Sequence, residues 1–179
     1  MSNRPKRLAT FSYIGLWRYS LTFCTHDRQQ LFTDATAVDI SLSRVLQSAA
    51  AHAFAVAAYC FMPDHLHLLV EGCDENAHLV AFARDVKQRI GYSHPQKSTV
   101  RIWQNGLYDR VLRDDEATLT VAKYILENPV RAGLAREPRD YPFSGSAIWT
   151  WDQLMDLWRT DAADAGVVDF GVASRCGTT

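Results

Sequence analysis

The chain alternates between stretches whose apolar residues recur every second position and stretches where they recur every third or fourth. Residues 17–25 (Trp-Arg-Tyr-Ser-Leu-Thr-Phe-Cys-Thr) alternate and favour aromatic and β-branched types, which predicts a strand. In 34–52, Val38, Leu42, Val45, Leu46 and Ala49 fall on one helical face. Residues 54–62 predict a second strand and 65–71 a third, ended by Gly72. Pro63-Asp64 separates them, because proline has no N–H to give a ladder. Residues 76–92 predict a helix with Leu79, Phe82, Ala83, Val86 and Ile90 on its apolar side, closed by His94-Pro95. Extended segments are expected around Trp103 and over 108–112. Asp114-Asp115-Glu116 puts negative charge where a helix N-terminus favours it. That helix is expected over 115–128, with Pro129 as its stop.

The order opens with β-α-β-β-α-β. This is the ferredoxin-like split β-α-β pattern, an α+β fold with an antiparallel sheet and helices on one face. A length of 179 residues suits one domain. The expected division is a folded unit over 1–147, opening with a basic arm, and an acidic tail over 148–179.

On a strand, neighbouring side chains point to opposite faces. In Asp64-His65-Leu66-His67-Leu68-Leu69-Val70, Leu66, Leu68 and Val70 share one face and His65 and His67 share the other. The leucine face suits a core. The two imidazoles then stand side by side, at a spacing that lets both reach one cation. On these residues alone, two histidines on a half-exposed strand are an equal alternative. Tyr124 and Asn128 lie four apart on the last predicted helix, one turn apart on one face, with Lys123 adjoining. A phenolic oxygen and an amide oxygen would approach the histidine strand if that helix packs beside it. A core-packed aromatic is the plain alternative for Tyr124.

Charge changes the picture only locally. Net charge is −1, which gives no general case for a polyanion partner. Yet 84–113 carries Arg84, Lys87, Arg89, Lys97, Arg101, Arg110 and Arg113 against Asp85 and Asp109. Arg4, Lys6 and Arg7 make the arm basic, while Asp152, Asp156, Asp161, Asp164 and Asp169 make the tail acidic. The tail's Leu154, Leu157 and Trp158 have the spacing of a short helix that could dock it over the basic groove. Cys24, Cys60, Cys73 and Cys176 match no zinc or redox spacing and are expected to be reduced thiols. No apolar run approaches the roughly 20 residues of a membrane span. The N-terminus has charge but no following apolar stretch, so a cytoplasmic protein with no membrane partner is expected.

Phe61-Met62-Pro63-Asp64-His65-Leu66-His67-Leu68-Leu69-Val70 resembles the histidine–hydrophobic–histidine motif of the single-tyrosine (HUH) transposases. Tyr124-Ile125-Leu126-Glu127-Asn128-Pro129-Val130-Arg131-Ala132-Gly133-Leu134 is similar to their tyrosine helix. With Trp103–Arg113, Tyr19–Phe23 and Arg28–Phe32, the resemblance is to the branch called REP-associated tyrosine transposases and covers roughly 15–147. It implies a nucleoid-associated DNA strand transferase with Tyr124 as nucleophile. It further implies a divalent metal, Mg or Mn, on His65, His67 and Asn128, Asn128 standing where the family often has glutamine. The implied partner is single-stranded or hairpin DNA, cut and rejoined through a 5′-phosphotyrosine. Candidate DNA contacts are Arg4, Lys6, Arg7, Arg18, Arg84, Lys87, Arg89, Arg101, Arg110, Arg113 and Lys123. Trp103, Tyr108 or Trp17 are candidate stacking rings. Two rival readings stand beside this: a catalytically silent hairpin-binding regulator, and a metal phosphodiesterase that uses water. Monomer and homodimer both remain open, as does whether Tyr124 serves its own chain's histidines.

Overall fold

A computed structural model of the chain describes residues 11–95, 101–112 and 118–161. Arg4, Lys6, Arg7 and Arg113 lie outside them, as does most of the acidic tail. The elements are β1 (Arg18–Cys24), α1 (Ala35–Ala51), β2 (Phe54–Met62), β3 (His65–Gly72), α2 (Leu79–Ser93), β4 (Tyr108–Val111), α3 (Thr118–Leu126), α4 (Asn128–Arg131), β5 (Ser144–Gly145) and α5 (Trp151–Asp161). The sheet runs β4-β1-β3-β2-β5, and every pairing is antiparallel. The expected ferredoxin-like α+β arrangement is what forms.

β3 is central and paired on both sides. Its Leu66, Leu68 and Val70 are fully buried among Tyr19, Leu21 and Phe23 of β1 and the apolar sides of α1 and α2. Burying even one such side chain stabilises by roughly 1.5–3 kcal/mol, so this layer fixes the register of β3. Asp34 caps α1, its carboxylate accepting from the Ala37 N–H at 2.9 Å.

The two crossover helices lie on one face, as the pattern predicts. The second face carries its own core, which the pattern does not announce. There Leu119, Ala122, Ile125 and Leu126 of α3 pack on Ala58, Cys60 and Met62 of β2, Leu69 of β3 and Leu112. β2 is therefore covered on both sides, and its burial is nearly continuous rather than alternating.

Two sequence expectations change, the end of the tyrosine helix and the state of the thiols. The tyrosine helix ends at Leu126 rather than Asn128, and Pro129 is not its stop: it sits in the first turn of α4, where a missing N–H costs nothing, and this short second helix runs to Arg131. Gly133, with φ +72°, ends it, and the Leu134 N–H closes back on the Pro129 carbonyl at 2.8 Å. Beyond residue 147, Trp149, Leu154 and Trp158 are buried with α3 in the second core. Finally, Cys24 and Cys60 are free and buried, but Cys73 is disulfide-bonded, so four reduced thiols do not hold. No helix among the described residues is long and apolar enough to cross a membrane.

At the end of β3, the Gly72 N–H donates to the Trp17 carbonyl at 3.0 Å, and a Cβ at Gly72 would lie 2.1 Å from the Gly15 carbonyl oxygen. That neighbour is backbone, so Gly72→Ala must push the incoming segment off the sheet. The expected cost is about 1–3 kcal/mol or more, seen as a melting temperature lower by several degrees. An unchanged melting temperature would contradict this packing.

Candidate active site

Strand alternation decides the facing of β3: with Leu66 and Leu68 buried, His65 and His67 must emerge on the opposite face. Their Nε2 atoms converge to 3.0 Å. Two ligands at adjacent corners of an octahedral cation, each at about 2.1 Å, also stand about 3.0 Å apart. Each outer nitrogen has a partner. His65 Nδ1 donates to Asp64 Oδ1 at 2.5 Å, and Asp64 Oδ2 accepts from Arg28 at 3.1 Å. His67 Nδ1 meets Thr22 Oγ1 at 3.0 Å, directly across the β1–β3 ladder. This is the arrangement in which outer partners fix ring orientation and leave both inner nitrogens facing one point.

The Thr22 hydroxyl has a particular use here. It can donate to His67 Nδ1 when Nε2 carries the proton, or accept from Nδ1–H when Nε2 is to be a ligand. Either tautomer is satisfied. Burial raises the cost of charge at Asp64, but its hydrogen bond to His65 and the nearby Arg28 outweigh that and hold the carboxyl below its usual value. His67 is pushed down to about 4, first by burial and then by the positive charge of His65, Arg131 and Arg28. It is neutral near pH 7, as a ligand must be. Among the described residues no group of three His, Cys, Asp or Glu side chains gathers around a metal position.

Tyr124 stands on the exposed side of α3 with 61% of its surface accessible, while Ile125 and Leu126 face the core. The alternative of a core-packed ring is thus excluded for Tyr124. Arg131, seven residues on, lays its guanidinium 4.1 Å from the Tyr124 ring centroid. It also donates to the Tyr124 carbonyl at 2.6 Å and to Asn128 Oδ1 at 2.9 Å. Asn128 Nδ2 donates to the Ile125 carbonyl at 3.0 Å, closing the end of α3. Tyr124, Asn128 and Arg131 therefore form one bonded group, and its cation acts on His67. Arg131 is absent from the sequence candidates because Pro129 hides the continuing helix. Its seven-residue offset from Tyr124 is the signal that could have found it.

The other candidates are scattered. Trp103, a candidate stacking ring, is instead buried, 7% exposed, against Phe23 and Phe32 with its Nε1 donating to the Lys87 carbonyl. It is not available to a base. Lys87 holds the carbonyls of Gln104 and Gly106, and burial lowers its ammonium to about 8. Arg84, Lys87 and Arg101 line one shallow depression beside the 101–106 loop. Arg89 pairs with Asp85 at 2.7 Å. Arg18 donates to Thr118 Oγ1 at 2.6 Å, tying β1 to the start of α3, and Lys123 lies 5.9 Å from the Trp158 ring centroid. Arg110 and Tyr108 stand exposed on β4.

The depressed His67 has a consequence for stability. Its folded value of about 4 lies below the ordinary ~6.5, so the folded chain binds fewer protons between them. Stability of the metal-free protein should fall as pH drops from about 6.5 towards 4. Denaturant titrations at pH 7 and pH 5 with chelator present should show a smaller loss in His67→Asn than in wild type. Equal losses would contradict the burial described here.

Comparison with known proteins agrees with this geometry. The family model described as "Transposase IS200 like" matches residues 14–128, which include both histidines, Tyr124 and Asn128. A Haemophilus influenzae protein named as a REP-associated tyrosine transposase is 28% identical over 138 residues, covering 70% of this chain and 77% of that protein. The REP-associated tyrosine transposase of Escherichia coli K12 is 25% identical over 164 residues, covering 90% of this chain and 92% of that one. A solved structure of a REP-associated tyrosine transposase bound to a REP hairpin shares the fold, with a TM-score of 0.65 at 20% identity over 96% of both chains. The chain belongs to the IS200-like transposase family, with the REP-associated tyrosine transposases as its relatives.

Proposed function

We propose that this protein cuts and rejoins single-stranded DNA at hairpin sequences, using Tyr124 as the nucleophile beside a divalent cation, Mg or Mn, held by His65 and His67. The observation that carries the reading is the convergence of the two Nε2 atoms at 3.0 Å, with their outer nitrogens held by Asp64 and Thr22. The family membership and the relative bound to a REP hairpin support DNA as the substrate.

A cation there supplies Lewis acidity at a phosphoryl oxygen and orients the leaving group. The residues of the chain do the rest. Tyr124 is solvent-facing, so its phenolic oxygen is open to an incoming phosphate. The oxygen forms a bond to phosphorus, the bond to the 3′ oxygen breaks, and a 5′-phosphotyrosine and a 3′-hydroxyl result. The phenolic proton leaves to solvent and the departing oxygen gains one. One phosphodiester replaces another, so the step is reversible by a 3′-hydroxyl without external energy. Arg131 places a positive charge against the attacking ring. Asn128 would hold the cation as a third ligand through its Oδ1, which here accepts from Arg131; without that hydrogen bond the guanidinium would be free for the phosphate. We place the reaction within one chain, because α3 packs on the sheet that carries its own histidines.

The test is a labelled hairpin oligonucleotide with single-stranded flanks, incubated with Mn and resolved on a denaturing gel. Wild type should give a covalent protein–DNA adduct, and Tyr124→Phe none. Cleavage retained in Tyr124→Phe would instead favour water as nucleophile. Binding without cleavage by wild type would favour a silent regulator.

A further inference from the structure

The ladder registers place one exposed aromatic in line with the histidines. Thr22 of β1 pairs with His67 on one side and with Tyr108 of β4 on the other. Residues that face each other across an antiparallel ladder point to the same face. Tyr108, Thr22 and His67 thus form one row across the sheet, on the histidine side. The row beside it is Arg110, Ser20 and Leu69. The residues on either side agree with this facing: Leu107 and Val111 pack into the core under α1 and α2, and Leu112 packs under α3. Asp109 points away with Leu107 and Val111, and its charge is felt by the buried Tyr19.

Tyr108 is 48% exposed. Two strand spacings separate it from His67, about 10 Å, within reach of the bases that flank a phosphate at the histidines. The strip between α3 and the β4 edge therefore carries the ring of Tyr108 and the guanidinium of Arg110 in adjacent rows on β4, with the half-buried Thr22 and Ser20 hydroxyls between them and β3. An aromatic face beside positive charge is the chemistry that holds unpaired nucleotides. Sequence-tolerant stacking needs only the π-face of a base.

We propose that Tyr108 is a stacking platform for an unpaired base next to the scissile phosphate, with Arg110 drawing the backbone across the strip. This rests on the reading of DNA at His65 and His67. It assigns the single-stranded side of the substrate to the β4–β1 half of the sheet. Tyr108 takes no part in the chemical step, which belongs to Tyr124.

The experiment is a binding cycle in the Tyr124→Phe background, which lacks the proposed nucleophile, with chelator present. The probes are a fluorescent DNA hairpin with unpaired flanks and the same hairpin carrying abasic residues scanned through those flanks. Stacking of about 1–3 kcal/mol per base corresponds to a loss of about 5- to 150-fold in affinity. Tyr108→Ala should weaken binding of the intact hairpin within that range, and Tyr108→Trp should not. At one flank position the abasic probe should erase the difference, so that the parent and the Tyr108→Ala protein bind it alike. Equal affinity of the parent and the Tyr108→Ala protein for the intact hairpin overturns the platform while leaving DNA binding in place. A substitution that alters self-association instead of DNA affinity also overturns it, since the β4 edge would then serve a second copy. Failure of the parent protein to bind any flanked hairpin overturns the DNA reading itself.

Discussion

The site depends on one constraint: β3 is a central strand whose two faces are assigned by burial. Leu66, Leu68 and Val70 are packed beneath α1 and α2, and a slip of one residue would exchange them with the histidines. Exposing three such side chains would cost several kcal/mol at roughly 1.5–3 kcal/mol each. The chemistry borrows that rigidity. His65 and His67 meet because the core behind them admits no other register, and the partners at their outer nitrogens come from the same ladder. Thr22 is their neighbour on β1, and Asp64 enters from the β2–β3 turn.

Tyr124 comes from a separate layer. α3 reaches the histidine face because its apolar side completes a second core with β2, Trp149 and Trp158. α5 therefore contributes to the placing of Tyr124, although the sequence motifs of the family lie before residue 147. Shortening the chain at that point would strip buried indole rings from the helix that carries the tyrosine. Asp152 and Asp156 of the acidic tail lie on the exposed side of α5.

The β-α-β-β-α-β order and the histidine facing are legible in the sequence because both rest on period-two and period-3.6 patterns that packing then enforces. Other features are not. Trp103 reads as an exposed ring because a short extended segment has no periodicity to show which face is covered; only the long-range packing of Phe23 and Phe32 decides it. Lys87 reads as a free cation, but its ammonium closes a loop seventeen residues away. Thr22 has no local signal at all, since its role exists only through the pairing of β1 with β3. Arg131 is hidden by proline's preference: it disfavours helix in the residue before it, yet here the chain turns at Glu127 and restarts at Asn128.

The central claim is that the two Nε2 atoms, 3.0 Å apart, act together on one cation, with the charge of Arg131 on α4 acting on His67. It is tested most directly by electron spin echo spectroscopy of the Mn-loaded protein carrying 15N-histidine. Two directly coordinated imidazole nitrogens are expected, falling to one in His65→Ala and in His67→Ala. Manganese that binds with no coordinated histidine nitrogen, or with a count unchanged by either substitution, would contradict the account.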